Sequence, residues 1–213
     1  MAHRLRARDW LRGARLAAHL LLQPRDIVPY ARFGVFTSKT PLELGIPWWS
    51  FGAVRAVECK LKPEMTGFQF GSGGSSLFLV SRLRSLTCID DEKAWVEKVR
   101  EAAKERKLSN LRVLHKPYEF WDASGFESSA YLKALSEGSY DVIVIDGKEW
   151  SDPVRDVCFW RAEDYIKPGG LIVLDDSARY PQVKAKNRAK RWREYEGCGY
   201  CRMGETTTAV FEY

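Results

Sequence analysis

The chain has 213 residues, of which 45% are hydrophobic and 29% charged, a composition typical of a soluble globular protein with one sizeable core. Its formal net charge of +6 is uneven, because basic residues crowd positions 4–25 and 184–193, which leaves binding to nucleic acid or to an anionic membrane open. The five cysteines are odd in number, which argues against a disulfide framework and favours a reduced, cytoplasmic protein.

The first 22 residues combine arginines with spaced apolar side chains, a pattern that predicts an amphipathic surface helix rather than a signal peptide. The longest apolar run, residues 16–22, is far below the roughly 20 residues needed to cross a bilayer, so peripheral membrane contact is the most that we expect of this helix. Residues 23–48 are rich in proline and should be largely irregular. A helix is predicted to start at Ser50, so residues 1–64 would form a basic helix, a linker and a cap helix.

From residue 65 onwards short apolar runs alternate with helical patterns. Strands are predicted at residues 67–70, 85–89, 111–114, 140–145 and 171–174. Helices are predicted from about residue 75, over residues 92–107 and from about residue 153 to residue 165. This alternation predicts an α/β domain with a doubly wound, mostly parallel sheet in residues 65–213.

The end of the chain departs from this alternation. The sequence predicts a turn at residues 168–170, a basic helix near residues 183–195, and strands around residues 200–203 and 206–213. Because Gly204 and Glu205 separate the last two segments, we expect a terminal β-hairpin.

A glycine-rich segment follows the first predicted strand. Gly71, Gly73 and Gly74 would let the backbone approach a ligand and would aim the N–H groups of the next helix at it. The dinucleotide fingerprint G-x-G-x-x-G needs glycine at position 76, where this chain has Ser76, so NAD binding is less well supported. A Walker loop is disfavoured, since no Lys-Ser or Lys-Thr pair follows the glycines.

Asp90 ends the second predicted strand. Parallel strands bring its carboxylate to the same crevice as the glycines, in reach of the two hydroxyls of a ribose. Taken separately, the glycines fit an ordinary βα turn and Asp90 fits a helix N-cap. Their joint spacing favours a pocket for an adenosine-containing ligand.

These features resemble the class I, Rossmann-like S-adenosylmethionine-dependent methyltransferases, in particular a branch whose first motif is G-S-G-G-S-[ST]. The resemblance covers roughly residues 47–213 and rests on the terminal hairpin and on residues 47–51, 70–75, 89–90, 141–147 and 168–176. It implies a seven-stranded sheet with an antiparallel last strand, which agrees with the hairpin predicted from the residues themselves.

The resemblance also implies a set of cofactor contacts. Gly71 and Gly73 would line the methionine moiety, Asp90 the ribose, and a residue after the third strand the adenine. With an aromatic wall added, the predicted S-adenosylmethionine site comprises Trp49, Gly71, Ser72, Gly73, Ser75, Asp90, Tyr118 and Asp146. One departure is Gln69, which stands where many such enzymes carry an acidic residue that helps to neutralise the amino group of the cofactor.

The acceptor groove is expected beyond the fourth and fifth strands, where five ionisable residues cluster: Asp146, Lys148, Glu149, Asp175 and Asp176. Methyl transfer requires an aligned acceptor and, for a hydroxyl, a base that removes its proton. Asp146 and Lys148 are the catalytic candidates, the lysine on condition that burial lowers its pKa. The aspartates resemble the Mg²⁺ ligands of catechol-type and sugar O-methyltransferases, and the sequence leaves metal binding open against simpler backbone contacts.

The leading hypothesis is O-methylation of a small-molecule or sugar-like acceptor with S-adenosylmethionine. Nitrogen is disfavoured as the target because the fourth strand ends without the [DNS]-P-P-[YFW] element of amino-group methyltransferases. An RNA acceptor gripped by the basic segments and a non-catalytic binding protein on the same fold are the alternatives, with an NAD-linked oxidoreductase more remote. The sequence does not determine the oligomeric state.

Overall fold

The computed structural model describes residues 7–118, 123–136, 138–147, 154–202 and 204–213. Seven strands form its centre: β1 (Thr66–Phe70), β2 (Ser85–Asp90), β3 (Leu111–His115), β4 (Tyr140–Ile145), β5 (Ile166–Asp175), β6 (Arg191–Cys198) and β7 (Glu205–Glu212). The α-helices are α1 (Ala7–Leu22), α2 (Ile27–Tyr30), α3 (Pro41–Leu44), α4 (Phe51–Glu58), α5 (Gly74–Val80), α6 (Lys93–Glu105), α7 (Ala123–Glu127), α8 (Arg155–Glu163) and α9 (Pro181–Lys186). Short 3₁₀ turns span Pro24–Asp26, Leu132–Ala134 and Ser177–Arg179, and a π-helical turn spans Ala31–Val35.

The strands form one sheet in the order β3-β2-β1-β4-β5-β7-β6. The first five strands pair in parallel, whereas β7 runs antiparallel to both β5 and β6. The winding direction reverses between β1 and β4, the place where open α/β sheets form a ligand crevice. This topology confirms the predicted doubly wound, mostly parallel sheet of seven strands with an antiparallel terminal hairpin.

Both faces of the sheet carry hydrophobic core, as β4 illustrates. Ile143 and Ile145 pack on one face with the aromatic residues of β1 and with α8, whereas Val142 and Val144 pack on the other with α4 and α5. All four side chains are fully buried. A strand that is buried on both sides needs a continuous apolar run, which is why the sequence of β4 predicts its position so well.

The predicted basic helix near residues 183–195 is wrong in its second half. Helix α9 ends at Lys186, and β6 begins at Arg191 and pairs along its length with β7. Arg191 donates to Glu212 across the pair at 2.7 Å. Basic residues on an edge strand look like a solvated helix face in sequence, and only the pairing with β7 distinguishes the two. The hairpin therefore starts earlier than expected, and residues 168–170 lie inside β5 rather than in a separate turn.

The prediction of an irregular linker over residues 23–48 is also wrong in part, because much of this segment is helical. Helix α3 begins with Pro41, and a capping box precedes it: Glu43 N–H donates to Thr40 Oγ1 at 3.3 Å, and Thr40 N–H donates to Glu43 Oε2 at 2.7 Å. Prolines at helix starts are compatible with helix, so the proline content alone was a poor guide.

The N-terminal segments pack on the domain that carries the sheet. Helix α4 lies against β6 and β7, α1 reaches β6, and α3 rests on α5. None of the helices in the described part of the chain has the length and apolar character that a bilayer span requires.

The carboxyl ends of β1 and β4 approach each other closely at Gly71. Asp146 N–H donates to Phe70 O at 3.0 Å, and Gly71 N–H donates to Ile89 O at 2.8 Å. Gly71 has φ +87°, and a Cβ atom at this position would lie 2.7 Å from Asp146 O. Glycine is therefore required here by the packing of two strand ends as well as by backbone conformation.

We expect Gly71→Ala to lower the free energy of unfolding by about 2 kcal/mol more than Gly169→Ala, since overpacking adds to the cost of the left-handed backbone. Gly169 is a matched control, with φ +83° and no heavy atom within 4 Å of the position that a Cβ atom would take. Urea denaturation of both variants measures the difference. Equal decreases in the free energy of unfolding would show that close packing against Asp146 does not affect stability.

Candidate functional site

A buried hydrogen-bond network shapes the loop after β1. Gly73 N–H donates to Ser76 Oγ at 3.1 Å, Ser76 Oγ donates to Gln69 Oε1 at 3.1 Å, and Gln69 Nε2 donates to Ser75 Oγ at 2.7 Å. Because the buried Ser76 hydroxyl accepts from a backbone N–H, its own proton needs an acceptor, which orients the Gln69 amide. Gln69 thus holds the loop through one donor and one acceptor group. An ionised carboxylate has no donor and could not make the hydrogen bond to Ser75 Oγ in this direction.

Asp90 projects from the end of β2 beside this loop. Its carboxylate is 7% exposed and accepts hydrogen bonds from Ser72 Oγ at 2.8 Å and from Glu92 N–H at 3.2 Å. Burial raises the pKa of Asp90, although these two hydrogen bonds oppose the shift. A carboxylate offers about four acceptor positions, so Asp90 can accept further hydrogen bonds from a ligand.

A pocket of about 510 Å³ opens over the loop and Asp90. Its wall includes five residues of the predicted cofactor site: Ser72, Gly73, Ser75, Asp90 and Asp146. A Cβ atom at Gly73 would come no closer than 3.7 Å to the Trp95 ring, so the loop leaves room above it. The structure thus brings the carboxyl ends of β1, β2 and β4 together around one cavity.

Three other predicted cofactor residues lie away from the wall of this pocket. Gly71 lies beneath the loop against Asp146, and Trp49 is fully buried. Tyr118 packs in an aromatic cluster with Phe126 and Tyr131, at ring-centroid distances of 4.9 Å and 5.0 Å. The second predicted catalytic residue, Lys148, and its neighbour Glu149 fall outside the described residues.

The sequence reasoning did not single out Trp95 or Arg202, and both line the pocket. Trp95 donates its indole N–H to Ser72 O at 2.8 Å, and the Arg202 guanidinium lies 4.7 Å from the Trp48 ring centre. The N-terminal segment adds Thr40, Pro41 and Leu42 to the wall. Trp95 lies five residues after Asp90 on the apolar face of α6, and such a position is ordinarily occupied by a core residue.

Arg155, at the start of α8, lies among the carboxylates at the ends of β4 and β5. It donates to Gly147 O through Nε at 2.8 Å and to Asp175 O through Nη1 at 2.9 Å. Its guanidinium is 3.6 Å from Asp146 Oδ1 and 3.8 Å from Asp176 Oδ2. One buried cation thus holds the two strand ends and compensates their negative charge.

These carboxylates differ in their protonation tendencies. Burial raises the pKa of Asp175 well above its ordinary value, and the charges of Asp146 and Asp176 act in the same direction against Arg155 and a hydrogen bond from Thr208. Burial also raises the pKa of Asp146, and Arg155 opposes that shift. Asp175 is therefore the member of the group that is most readily held neutral.

The group does not fit a magnesium ion. Mg²⁺ needs about six oxygen ligands in octahedral geometry, whereas here the guanidinium of Arg155 lies between Asp146 and Asp176. In the described part of the chain no three His, Cys, Asp or Glu side chains are arranged to hold a metal ion. Arg155 supplies the positive charge that the sequence left open for a metal.

A second cavity of about 500 Å³ adjoins the first, and Asp176 and Arg202 line both. Its other polar wall residues come from α1, the turn after β5 and the terminal hairpin: Arg15, Arg179, Glu196, Glu205, Thr206 and Thr207. Asp176 has a left-handed backbone, with φ 51° and ψ 36°. Such a conformation in a residue other than glycine is costly, and here it places the carboxylate between the two cavities.

The chain also has measurable likeness to known proteins. Residues 68–177 match the sequence pattern of a family described as a methyltransferase domain. No curated protein sequence matches the chain.

Solved structures share its fold at low sequence identity. The O-methyltransferase TomG from Streptomyces achromogenes, which is involved in tomaymycin synthesis and was solved with S-adenosylmethionine, has a TM-score of 0.57 and 13% identity over 88% of this chain and 94% of its own. An rRNA methylase from Streptococcus thermophilus has a TM-score of 0.55 and 10% identity over 83% and 98%. A Streptococcus mutans protein in complex with S-adenosylhomocysteine has a TM-score of 0.54 and 10% identity over 83% and 100%.

The raised pKa of Asp175 predicts a pH dependence of stability. A folded-state pKa above the unfolded value of about 3.9 gives stability that is present below that pH and is lost as pH rises towards the folded value. In Asp175→Asn this loss should disappear, so its free energy of unfolding should fall less than that of the wild type from about pH 4 to pH 7. Urea denaturation at several pH values measures the slopes, and identical slopes would contradict the burial argument.

Asp141 provides a control of opposite sign. Burial alone would raise the pKa of Asp141, but hydrogen bonds from Lys167 and Thr66 outweigh burial and lower it. Its stabilising contribution is present above the unfolded pKa and is lost as pH falls. Asp141→Asn should therefore lose stability chiefly at neutral pH.

Proposed function

The chain belongs to the methyltransferase-domain family, and from this membership we propose that it transfers a methyl group from S-adenosylmethionine to a hydroxyl group of a small or sugar-like acceptor. The observation that carries the proposal is the pair of adjoining cavities that share Asp176 and Arg202. One cavity has the groups that suit the cofactor, and the other lies where an acceptor would reach it.

The residues of the first cavity fit S-adenosylmethionine. The Asp90 carboxylate has spare acceptor capacity for the two ribose hydroxyls, and Trp95 offers an aromatic surface beside it. The first residues of α5, Gly74 and Ser75, line the pocket, and N–H groups at a helix start suit a carboxylate. When bound, this cofactor supplies a methyl group activated by a positively charged sulfur.

Gln69 does not weaken this assignment. Because Gln69 Nε2 donates to Ser75 Oγ, the Ser75 hydroxyl keeps its own proton for an acceptor in the pocket. Ser75 lies in the pocket wall, where that proton suits the carboxylate of the methionine moiety. The neutral amide therefore replaces recognition of the amino group with recognition of the carboxylate.

The second cavity supplies groups that hold a polar acceptor. Arg15, Arg179 and Glu205 offer donors and acceptors around it, which suits a hydroxylated compound better than an apolar one. We assign to Asp176 the hydrogen bond from the reacting hydroxyl. Asp176 takes up the hydroxyl proton as the new carbon–oxygen bond forms, and Arg155, 3.8 Å away, balances the carboxylate before transfer.

Asp90→Asn should weaken binding of S-adenosylhomocysteine by about 10-fold or more, since hydrogen bonds to a charged acceptor contribute about 1.5–3 kcal/mol. The amide oxygen of the variant can still accept from Glu92 N–H, and its NH₂ group can donate to Ser72 Oγ, so the loop is preserved. Isothermal titration calorimetry measures the affinity, with Glu97→Gln on the exposed side of α6 as the control. Unchanged affinity in Asp90→Asn would remove Asp90 from the cofactor site.

Asp176→Asn should lower kcat for methyl transfer by about 100-fold or more and leave the affinity for S-adenosylhomocysteine within about twofold. Transfer of a labelled methyl group to phenols, catechols and glycosides measures turnover, with Glu97→Gln again as the control. Because Arg155 supplies the cation, EDTA should leave turnover unchanged. A normal kcat in Asp176→Asn would assign the proton to another group.

A further inference from the structure

Exposed apolar side chains concentrate in one short stretch near the N-terminus. Among the described residues seven large hydrophobic side chains are exposed, and five of them fall within residues 21–36. The exposed fractions are 81% for Leu21, 78% for Leu22, 72% for Val28 and 82% for Phe36. Scattered exposed apolar residues are normal, but such a concentration marks an interaction surface.

Exposed basic residues alternate with these apolar residues along the sequence. From the 3₁₀ turn at Pro24–Asp26 the backbone stays helical to Val35. Arg25, Val28 and Arg32 are spaced by three and four residues, so they share one helical face, and all three are exposed. Together with the exposed residues Leu21, Leu22 and Phe36, which flank them in sequence, they make up what we call the basic apolar face.

The opposite side of this segment is anchored to the domain. Asp26 is 1% exposed and accepts hydrogen bonds from Arg55 Nη1 at 2.6 Å and from His19 at 3.1 Å. Tyr30 is buried against Phe51 and Cys198. The segment is therefore held in place, and the basic apolar face points away from the core as a fixed surface.

The charge of this region is unusual for the chain. Residues 1–42 contain eight Lys and Arg but two Asp, so their surplus of six accounts for the whole formal charge of +6. Of the two acidic residues, Asp26 is buried and paired with Arg55. From residue 13 to residue 42 the exposed charged side chains that the structure describes are Arg15, Arg25, Arg32 and Lys39, all positive, which suits an anionic partner.

We propose that the basic apolar face docks the protein on an anionic lipid membrane. Apolar side chains would enter the boundary between headgroups and acyl chains while the arginines bind the anionic headgroups. RNA would satisfy the arginines but would leave Leu21, Leu22 and Val28 in water. Arg15 on the same helix as the two leucines lines the second cavity, so docking brings that cavity towards the lipid surface.

Co-sedimentation with vesicles tests the proposal. Wild-type protein should bind vesicles of phosphatidylcholine with roughly one third phosphatidylserine, and should bind pure phosphatidylcholine at least 10-fold more weakly. Leu21→Ser combined with Leu22→Ser and Val28→Ser should weaken binding to the anionic vesicles at least 10-fold, because each leucine or valine loses its burial in lipid.

Charge variants distinguish the effect of the basic apolar face on vesicle binding from the effect of the net charge of the protein. Arg25→Gln with Arg32→Gln should weaken binding several-fold, whereas Lys186→Gln with Lys190→Gln removes the same charge elsewhere and should leave binding unchanged. Thermal unfolding midpoints close to the wild type establish that the variants are folded. Absence of wild-type binding to anionic vesicles would overturn the proposal. Binding of RNA that responds to the arginine changes but not to the serine changes would overturn it as well.

Discussion

The buried guanidinium of Arg155 is the contact on which the site depends. Three aspartates at the ends of neighbouring strands would repel one another, and the buried Asp175 would also lose its hydration. The positive charge of Arg155 reduces this repulsion, since its guanidinium lies near two of the carboxylates. It also donates hydrogen bonds to backbone carbonyls of both strand ends. The same guanidinium lies 3.8 Å from Asp176, which lines both cavities, and it places a positive charge among these carboxylates.

The N-terminal segments and the sheet together build the walls of the two cavities. Residues 40–42 line the first cavity together with Trp48 and Arg202, which contact each other, and Arg15 lines the second cavity. At Gly74 a Cβ atom would collide with the carbonyls of Pro41 and Ile46, so the linker lies directly on the start of α5. The family match begins only at residue 68, and the segments that precede it add wall residues to both cavities.

Hydrogen-bond polarity explains a departure from the expected family pattern. The Gln69 amide oxygen accepts from Ser76 Oγ and its NH₂ group donates to Ser75 Oγ, so both polar groups of the amide are hydrogen-bonded. An acidic residue would accept from both serines and would carry charge into a buried position. The glycine loop is thereby held without an ionised group beneath it.

The sequence by itself determined the order of β1 to β5, the glycine loop, the position of Asp90 at the end of β2, and a final strand that belongs to a hairpin. These follow from local periodicity and from the rule that parallel strands end at one edge, so no knowledge of distant contacts was needed. The sequence-based prediction was wrong for β6, because pairing with β7 makes these basic residues a strand. It was also wrong for much of the proline-rich linker, which is helical although proline content suggested irregular structure. The roles of Arg155 and Trp95 became visible only in the tertiary structure. In sequence, a charged residue at a helix start looks the same whether or not it lies among buried carboxylates, and an aromatic residue on an apolar helix face looks the same whether or not it reaches a pocket. The burial that raises the pKa of Asp175 also depends on tertiary packing, because the residues that surround Asp175 are distant from it in sequence.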